Sequence, residues 1–177
     1  TPGLIAQMTG FLLRKRYRYA TVFVDNFSDL SFVYFQKEAS AQETIEAKEA
    51  FERYAKIRGI KVDHYHADNG IFKAEKFVQA CRKNGQGLSF AGVNAHHQNG
   101  RAERRIRTLQ EMTRTSLIHA KRRWDDAITT NLWPYALRVS NDAYNNTPSL
   151  KDASRRTPHQ IFTGTTVAEN PKHWFHF

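Results

Sequence analysis

Residues 17–37 hold two runs, YRYATVFVDNF (17–27) and LSFVYFQK (30–37), dense in β-branched and aromatic side chains and parted by Ser28-Asp29. Such runs on either side of a short polar break predict a β-hairpin. Ser40, three residues before Glu43, makes a capping-box pattern that opens a helix through Arg58. Its apolar face runs Ala47, Ala50/Phe51, Tyr54 and Ile57, and Gly59 is placed to end it. A strand over 60–67 leads into the loop DNGIF, and a second helix over 74–85 stops at an Asn-Gly pair. A strand-like run over 87–93 then enters the polar AHHQNG loop.

From Arg101 to Trp124 the apolar positions Ala102, Ile106, Leu109, Met112, Leu117, Ala120 and Trp124 recur in steps of three to five, a long amphipathic helix. The last helical region lies between Asp126 and Asn146, with Pro134 in its first turn or kinking it. The order β-β-α-β-α-β-α-α predicts one α/β domain, a mixed sheet covered by helices. Residues 1–148 read as the core and 149–177 as a basic, aromatic extension.

Composition narrows the partners. The chain of 177 residues is 40% hydrophobic and 25% charged. It holds no apolar run near the ~20 residues that span a bilayer, so no membrane partner is expected. Its start, TPGLIAQMTG, lacks the order of a signal peptide, and both ends read as the interior of something longer. The single cysteine, Cys81, excludes an internal disulfide or a cysteine-rich zinc site and is expected to pack on its own helix in a reducing compartment. A net charge of +10 favours anionic partners. Six of those charges fall between Arg101 and Arg123, with eight basic residues against Glu103 and Glu111.

Two acids are candidates for chemistry. Asp68 sits where the strand over 60–67 meets a loop that Asn69-Gly70 lets turn sharply. Ligands in α/β sheets bind outside strand ends, which suits a metal-bound carboxylate. Taken alone, Asp-Asn-Gly is more often a turn than a site. Glu103 stands among Arg101, Arg104, Arg105 and Arg107, about one turn into a helix opened by Asn99-Gly100, with Arg107 and Gln110 following on its face. A Glu103–Arg107 surface pair worth ~0.3–0.5 kcal/mol is the plainer alternative, and it leaves three arginines unexplained.

HADNGIF followed by HHQNGRAERRIRTL resembles the second and third acidic blocks of retroviral and retrotransposon integrases, the copia type in particular. YRYATVFVDNFSDLSFVYF is similar to that family's aromatic hairpin, and NLWPYALRVSNDAYNNTPS to its tryptophan helix ending in Asn and Pro. TPHQIFTG resembles the segment after the core, so the likeness runs from about 17 to 177. The resemblance implies a ribonuclease-H-like fold, a five-stranded mixed sheet with helices on both faces. It implies DNA integration by a metal-dependent polynucleotidyl transferase in which two aspartates and a glutamate hold two Mg²⁺ or Mn²⁺ ions. Asp68 and Glu103 match two of those catalytic ligands. Double-stranded DNA, from the element's ends and the target, would be the partner, with a homo-oligomer as the acting form inside an intracellular particle of cytoplasm or nucleus. Asn99, Arg101, Arg104, Arg105, Arg107 and Arg114 are the expected DNA contacts.

The chain departs from the family's pattern in one respect. The family's first catalytic aspartate precedes the hairpin, whereas no acid lies between Thr1 and Val24. The first strand and its aspartate are therefore expected to lie upstream of this fragment, which alone would be inactive; replacement by Asp25 is the less favoured alternative. The spacing from Asp68 to Glu103 is also one residue short of the family's usual interval, a difference a loop absorbs. Rival functions are an inactive integrase-derived nucleic-acid-binding domain and a nuclease that hydrolyses without joining. His64, His66 and Asp68 share a strand face, where packed histidines are commoner than a metal pair; His96 and His97 fall in the loop before Glu103, and Trp124, Trp133 and Trp174 read as core or junction residues.

Overall fold

The computed structural model describes residues 3–5, 17–68, 70–91, 100–149 and 152–165. The hairpin forms as β2 (Tyr19–Val24) and β3 (Ser31–Gln36), antiparallel, with Val22 opposite Val33. Its turn is built from side chains. Asp25 Oδ2 accepts from Ser28 N at 2.7 Å and Ser28 Oγ at 2.6 Å, and Asp29 takes the left-handed conformation at φ 64°. That conformation is one an aspartate tolerates better than most residues. Asp25 is thus engaged in closing the turn.

The sequence reading left the hairpin without a strand before it, and the structure corrects this. β1 (Gly3–Ile5) pairs antiparallel with β2, Leu4 opposite Thr21. Three residues beside Pro2 carry too little alternation to read as a strand. The five strands also form two ladders among the described residues: β1-β2-β3, and a parallel pair of β4 (His64–Ala67) with β5 (Gly87–Phe90).

Alternation along β2 divides the core between two layers. Ala20, Val22 and Val24 face one side, with Ala102, Leu109, Trp133 and Leu137. Phe23 faces the other, stacked at 5.0 Å on Phe51 of α1 (Ala41–Lys56). Each such fully buried phenylalanine stabilises by roughly 1.5–3 kcal/mol. Helices therefore cover both faces of the hairpin sheet: α1 on one, and α3 (Gly100–Arg123) with α4 (Trp133–Asn145) on the other. α2 (Glu75–Lys83) packs Phe77 and Cys81 into the α1 layer, and burial pushes the Cys81 thiol above its ordinary pKa.

Ser40 caps α1, accepting from Glu43 N at 3.2 Å, but the expected box is half formed. The Glu43 carboxylate instead accepts from Lys37 N and Glu38 N, tying the end of β3 to the helix. Further along, Lys48 is 1% exposed and pairs with Glu52 at 2.8 Å. Glu52 also accepts from the Tyr65 hydroxyl at 2.8 Å and Gln86 Nε2 at 2.5 Å, linking α1, β4 and the turn before β5. Burial raises the Glu52 pKa, but the hydrogen bonds from Lys48, Gln86 and Tyr65 outweigh it and leave a net lowering. Pro134 falls in the first turn of α4, not at a kink. The short α5 (Pro158–Thr163), capped reciprocally by Thr157 and Gln160, stacks Phe162 on Tyr54 of α1.

Candidate functional site

The two candidate acids lie where the chain leaves one ladder and enters the helix that covers the other. Asp68 follows the last residue of β4 and is half-buried. Its Oδ1 accepts from Gly70 N at 3.2 Å, so the side chain does close the local turn. A Cβ on Gly70 would stand 3.3 Å from that oxygen, and glycine there leaves the carboxylate room. Glu103 is exposed in the first turn of α3. Among the described residues it makes no ion pair with Arg107, so the plain surface-pair alternative is not what the helix holds.

Ala102, Leu109 and Thr113 bury one side of α3 and so turn Glu103 outward. The first turn is anchored further by Arg101, whose guanidinium donates to the backbone and side-chain oxygens of Asn26 just past β2. These carboxylate oxygens are hard donors of the kind Mg²⁺ and Mn²⁺ take. The described residues hold no group of three His, Cys, Asp or Glu side chains gathered for a metal. Asp68 and Glu103, as carboxylates, are each chemically suited to such an ion.

Arg105 overturns one expectation. It was grouped with the phosphate-contacting arginines, yet it is 4% exposed. Its guanidinium pairs with Asp29 Oδ2 at 2.9 Å and donates to the Asp29 carbonyl at 2.8 Å and Ser31 Oγ at 2.9 Å. It lies 3.5 Å above the Tyr144 ring. Burial draws its pKa below the ordinary value, against the opposing effects of Tyr144 and Asp29. Arg105 therefore fastens α3 to the hairpin turn and to α4, two residues from Glu103, with its guanidinium buried.

A polar seam missed in the sequence continues from it. Ser31 Oγ donates to Asn141 Oδ1 at 2.7 Å. The Asn145 amide accepts from Ser31 N at 2.9 Å and donates to Ser31 O at 2.7 Å, standing where a neighbouring strand would pair. Two asparagines four apart on an otherwise apolar helix face were the available signal. On β4, His64 Nε2 and His66 Nδ1 each lie 2.8 Å from Ser89 Oγ, so both imidazoles are occupied by one hydroxyl. Trp133 is buried, but Trp124 is 41% exposed, a surface residue at the far end of α3 and not part of the core. Arg104, Arg107 and Arg114 are exposed. Asn99, His96, His97 and Trp174 lie outside the described residues.

No family model matches the chain, and no curated protein does. Solved structures match. The catalytic core domain of HTLV-2 integrase in complex with magnesium, in its trimeric form, has a TM-score of 0.60 at 20% identity, over 88% of this chain and 90% of that one. The catalytic core domain of BIV integrase gives 0.59 at 21% identity, over 82% and 86%. A chain of the simian T-cell lymphotropic virus intasome, in complex with a PP2A regulatory subunit, gives 0.65 at 19% identity over 88% of this chain; this chain spans only 51% of that one. The fold is that of integrase catalytic cores, of the ribonuclease-H-like class. No helix among the described residues is long and apolar enough to cross a membrane.

Proposed function

We propose that the chain is the catalytic-core portion of a retrotransposon integrase of the copia type, a polynucleotidyl transferase that joins retroelement DNA ends to duplex target DNA as a homo-oligomer. What supports this is the integrase-core fold, in a chain whose Asp68, at a strand end, and Glu103, turned outward on a buried-faced helix, match the family's second and third acidic blocks in sequence. Asp68 and Glu103 would hold Mg²⁺ or Mn²⁺, two ions being expected. Bound there, such ions supply a Lewis acid for a phosphoryl oxygen and lower the pKa of an attacking water or hydroxyl. The chain's own residues fix and orient the two acids: Gly70 N holds one Asp68 oxygen, and Arg105 and Arg101 hold the first turn of α3. Exposed arginines beside Glu103 offer phosphate contacts that position DNA without reading sequence.

The test is strand transfer of an element-end duplex by an integrase containing this core, with Mg²⁺. Asp68→Asn and Glu103→Gln are expected each to abolish joining while duplex binding persists. Joining by Glu103→Gln at the parent rate would refute the assignment. Hydrolysis without joining would point to the nuclease, and duplex binding with no Mg²⁺-dependent chemistry to the inactive domain.

A further inference from the structure

The tip of the β2–β3 hairpin inverts the usual polarity of a turn. Ser28 is 1% exposed, and Phe27 beside it is 86% exposed, the most exposed of the large apolar side chains described. The hydrogen bonds of the turn account for the serine. Its Oγ donates to Asp25 Oδ2 at 2.6 Å and accepts from Leu30 N at 3.2 Å, and Asp29 N donates to the Asp25 carbonyl at 3.0 Å. That scheme draws residue 28 inward and leaves residue 27 outside, where a polar side chain would do as well. The tip is also held from α3 on both sides of Phe27. Arg101 donates to Asn26, and Arg105 binds Asp29 through its carboxylate and its carbonyl. Arg101 and Arg105 stand on either side of Glu103 in the chain. At about 3.6 residues per turn they share one side of the helix, and Glu103 points from the other. The phenyl ring and the Glu103 carboxylate are therefore fixed to the same stretch of helix, about a helix diameter of 10–12 Å apart.

We propose that Phe27 is a stacking platform for an unpaired base at the end of the DNA substrate, about three nucleotides from the phosphate at Glu103. It rests on the function proposed above and adds to it a positioning residue outside the acids and the basic helix. The ring has no donor or acceptor, so it reads no base edge and binds no phosphate. What it offers is a face. An aromatic face accepts a base of any sequence once that base has left its stack, and apolar side chains placed at a base step help to part it. The offset from Glu103 corresponds to about three steps of a strand at about 3.4 Å each. Because Arg101 and Arg105 already hold the tip, stacking a base orders little more than the ring itself, which keeps the cost of binding low.

The test compares the joining of two element-end duplexes by an integrase containing this core, one fully paired and one mismatched over about its last three base pairs, the offset worked out above. The proteins are the parent, Phe27→Ala, Phe27→Trp and a control at another exposed apolar side chain, Ile57→Ala, which is 82% exposed at the end of α1. Removing an aromatic from under a base weakens its hold by about 5- to 100-fold. Phe27→Ala is expected to lose about that factor in kcat/KM on the paired end and to regain most of it on the mismatched end, where the bases are already parted. Phe27→Trp and Ile57→Ala are expected to match the parent on both ends. Phe27→Ala should also keep the parent's urea midpoint, and a lowered one would contradict the exposure on which the platform depends. Joining of both ends by Phe27→Ala at the parent rate overturns the platform. So does an equal loss on the two ends, which would mark a protein partner in place of a base, or a loss that tryptophan does not restore. In each of these cases, joining that still requires Glu103 leaves the proposed function standing. A parent that joins neither end overturns both.

Discussion

Replacing Arg105 by methionine removes the cation that joins α3 to the hairpin turn while keeping comparable bulk. Four interactions go at once: the ion pair to Asp29 at 2.9 Å, hydrogen bonds to the Asp29 carbonyl and Ser31 Oγ, and the stack on Tyr144. Breaking one side of a buried pair costs about 3–5 kcal/mol, because the remaining charge is left without its partner. The Asp29 side chain is 24% exposed and can draw some water, which puts the expected loss near 3 kcal/mol. With a urea slope of about 2 kcal/mol/M, that moves the unfolding midpoint down by about 1.5 M. Adding Asp29→Asn removes the stranded charge and keeps a side chain that tolerates the left-handed turn, so the double variant is expected to recover about 1 kcal/mol. A midpoint within about 0.3 M of the parent, together with a reduced salt slope for duplex binding, would return Arg105 to the phosphate contacts and refute its burial.

Other perturbations test neighbouring claims. Asn145→Leu leaves the Ser31 N–H and carbonyl unpaired and is expected to cost about 2–3 kcal/mol in urea unfolding; a neutral result would mean that water replaces the amide. Glu52 has a lowered pKa when folded, so its contribution is present above the ordinary carboxylate value and is lost as pH falls through the lowered one. Glu52→Gln is therefore expected to flatten the acid limb of stability against pH, and an unchanged limb would count against the network with Lys48 and Tyr65. Gly87→Ala would drive a Cβ into the His64 imidazole and must swing that ring off Ser89; a loss of about 1 kcal/mol is expected, absent in a His64→Ala background.

Where a single periodicity governed a segment, the sequence was enough. β2, β3, α1 and α3 were legible because alternation or helical spacing ran uninterrupted over six residues or more. β1 was not, since three residues give no period. Arg105 was misjudged because it sits in a run of arginines and runs of charge read as solvated. A signal was nonetheless present: Arg105 is three residues after Ala102 and four before Leu109, on the apolar face of its helix. Its partner Asp29 lies 76 residues away and could be matched to it only once the helix was docked. For the candidate site, Asp68 and Glu103 were singled out from motif spacing, but which cations beside them are engaged depended on contacts with Asn26, Asp29 and Ser31 that no local pattern encodes.

The central claim is that Asp68 and Glu103 serve one metal site. Amide NMR of the chain during a Mn²⁺ titration tests it directly, because a paramagnetic ion broadens the signals of residues around it. Broadening is expected at Gly70 and at the first turn of α3 with one shared midpoint, and Glu103→Gln should weaken it at both places. Broadening at only one of the two, or at both with separate midpoints, would contradict a common site.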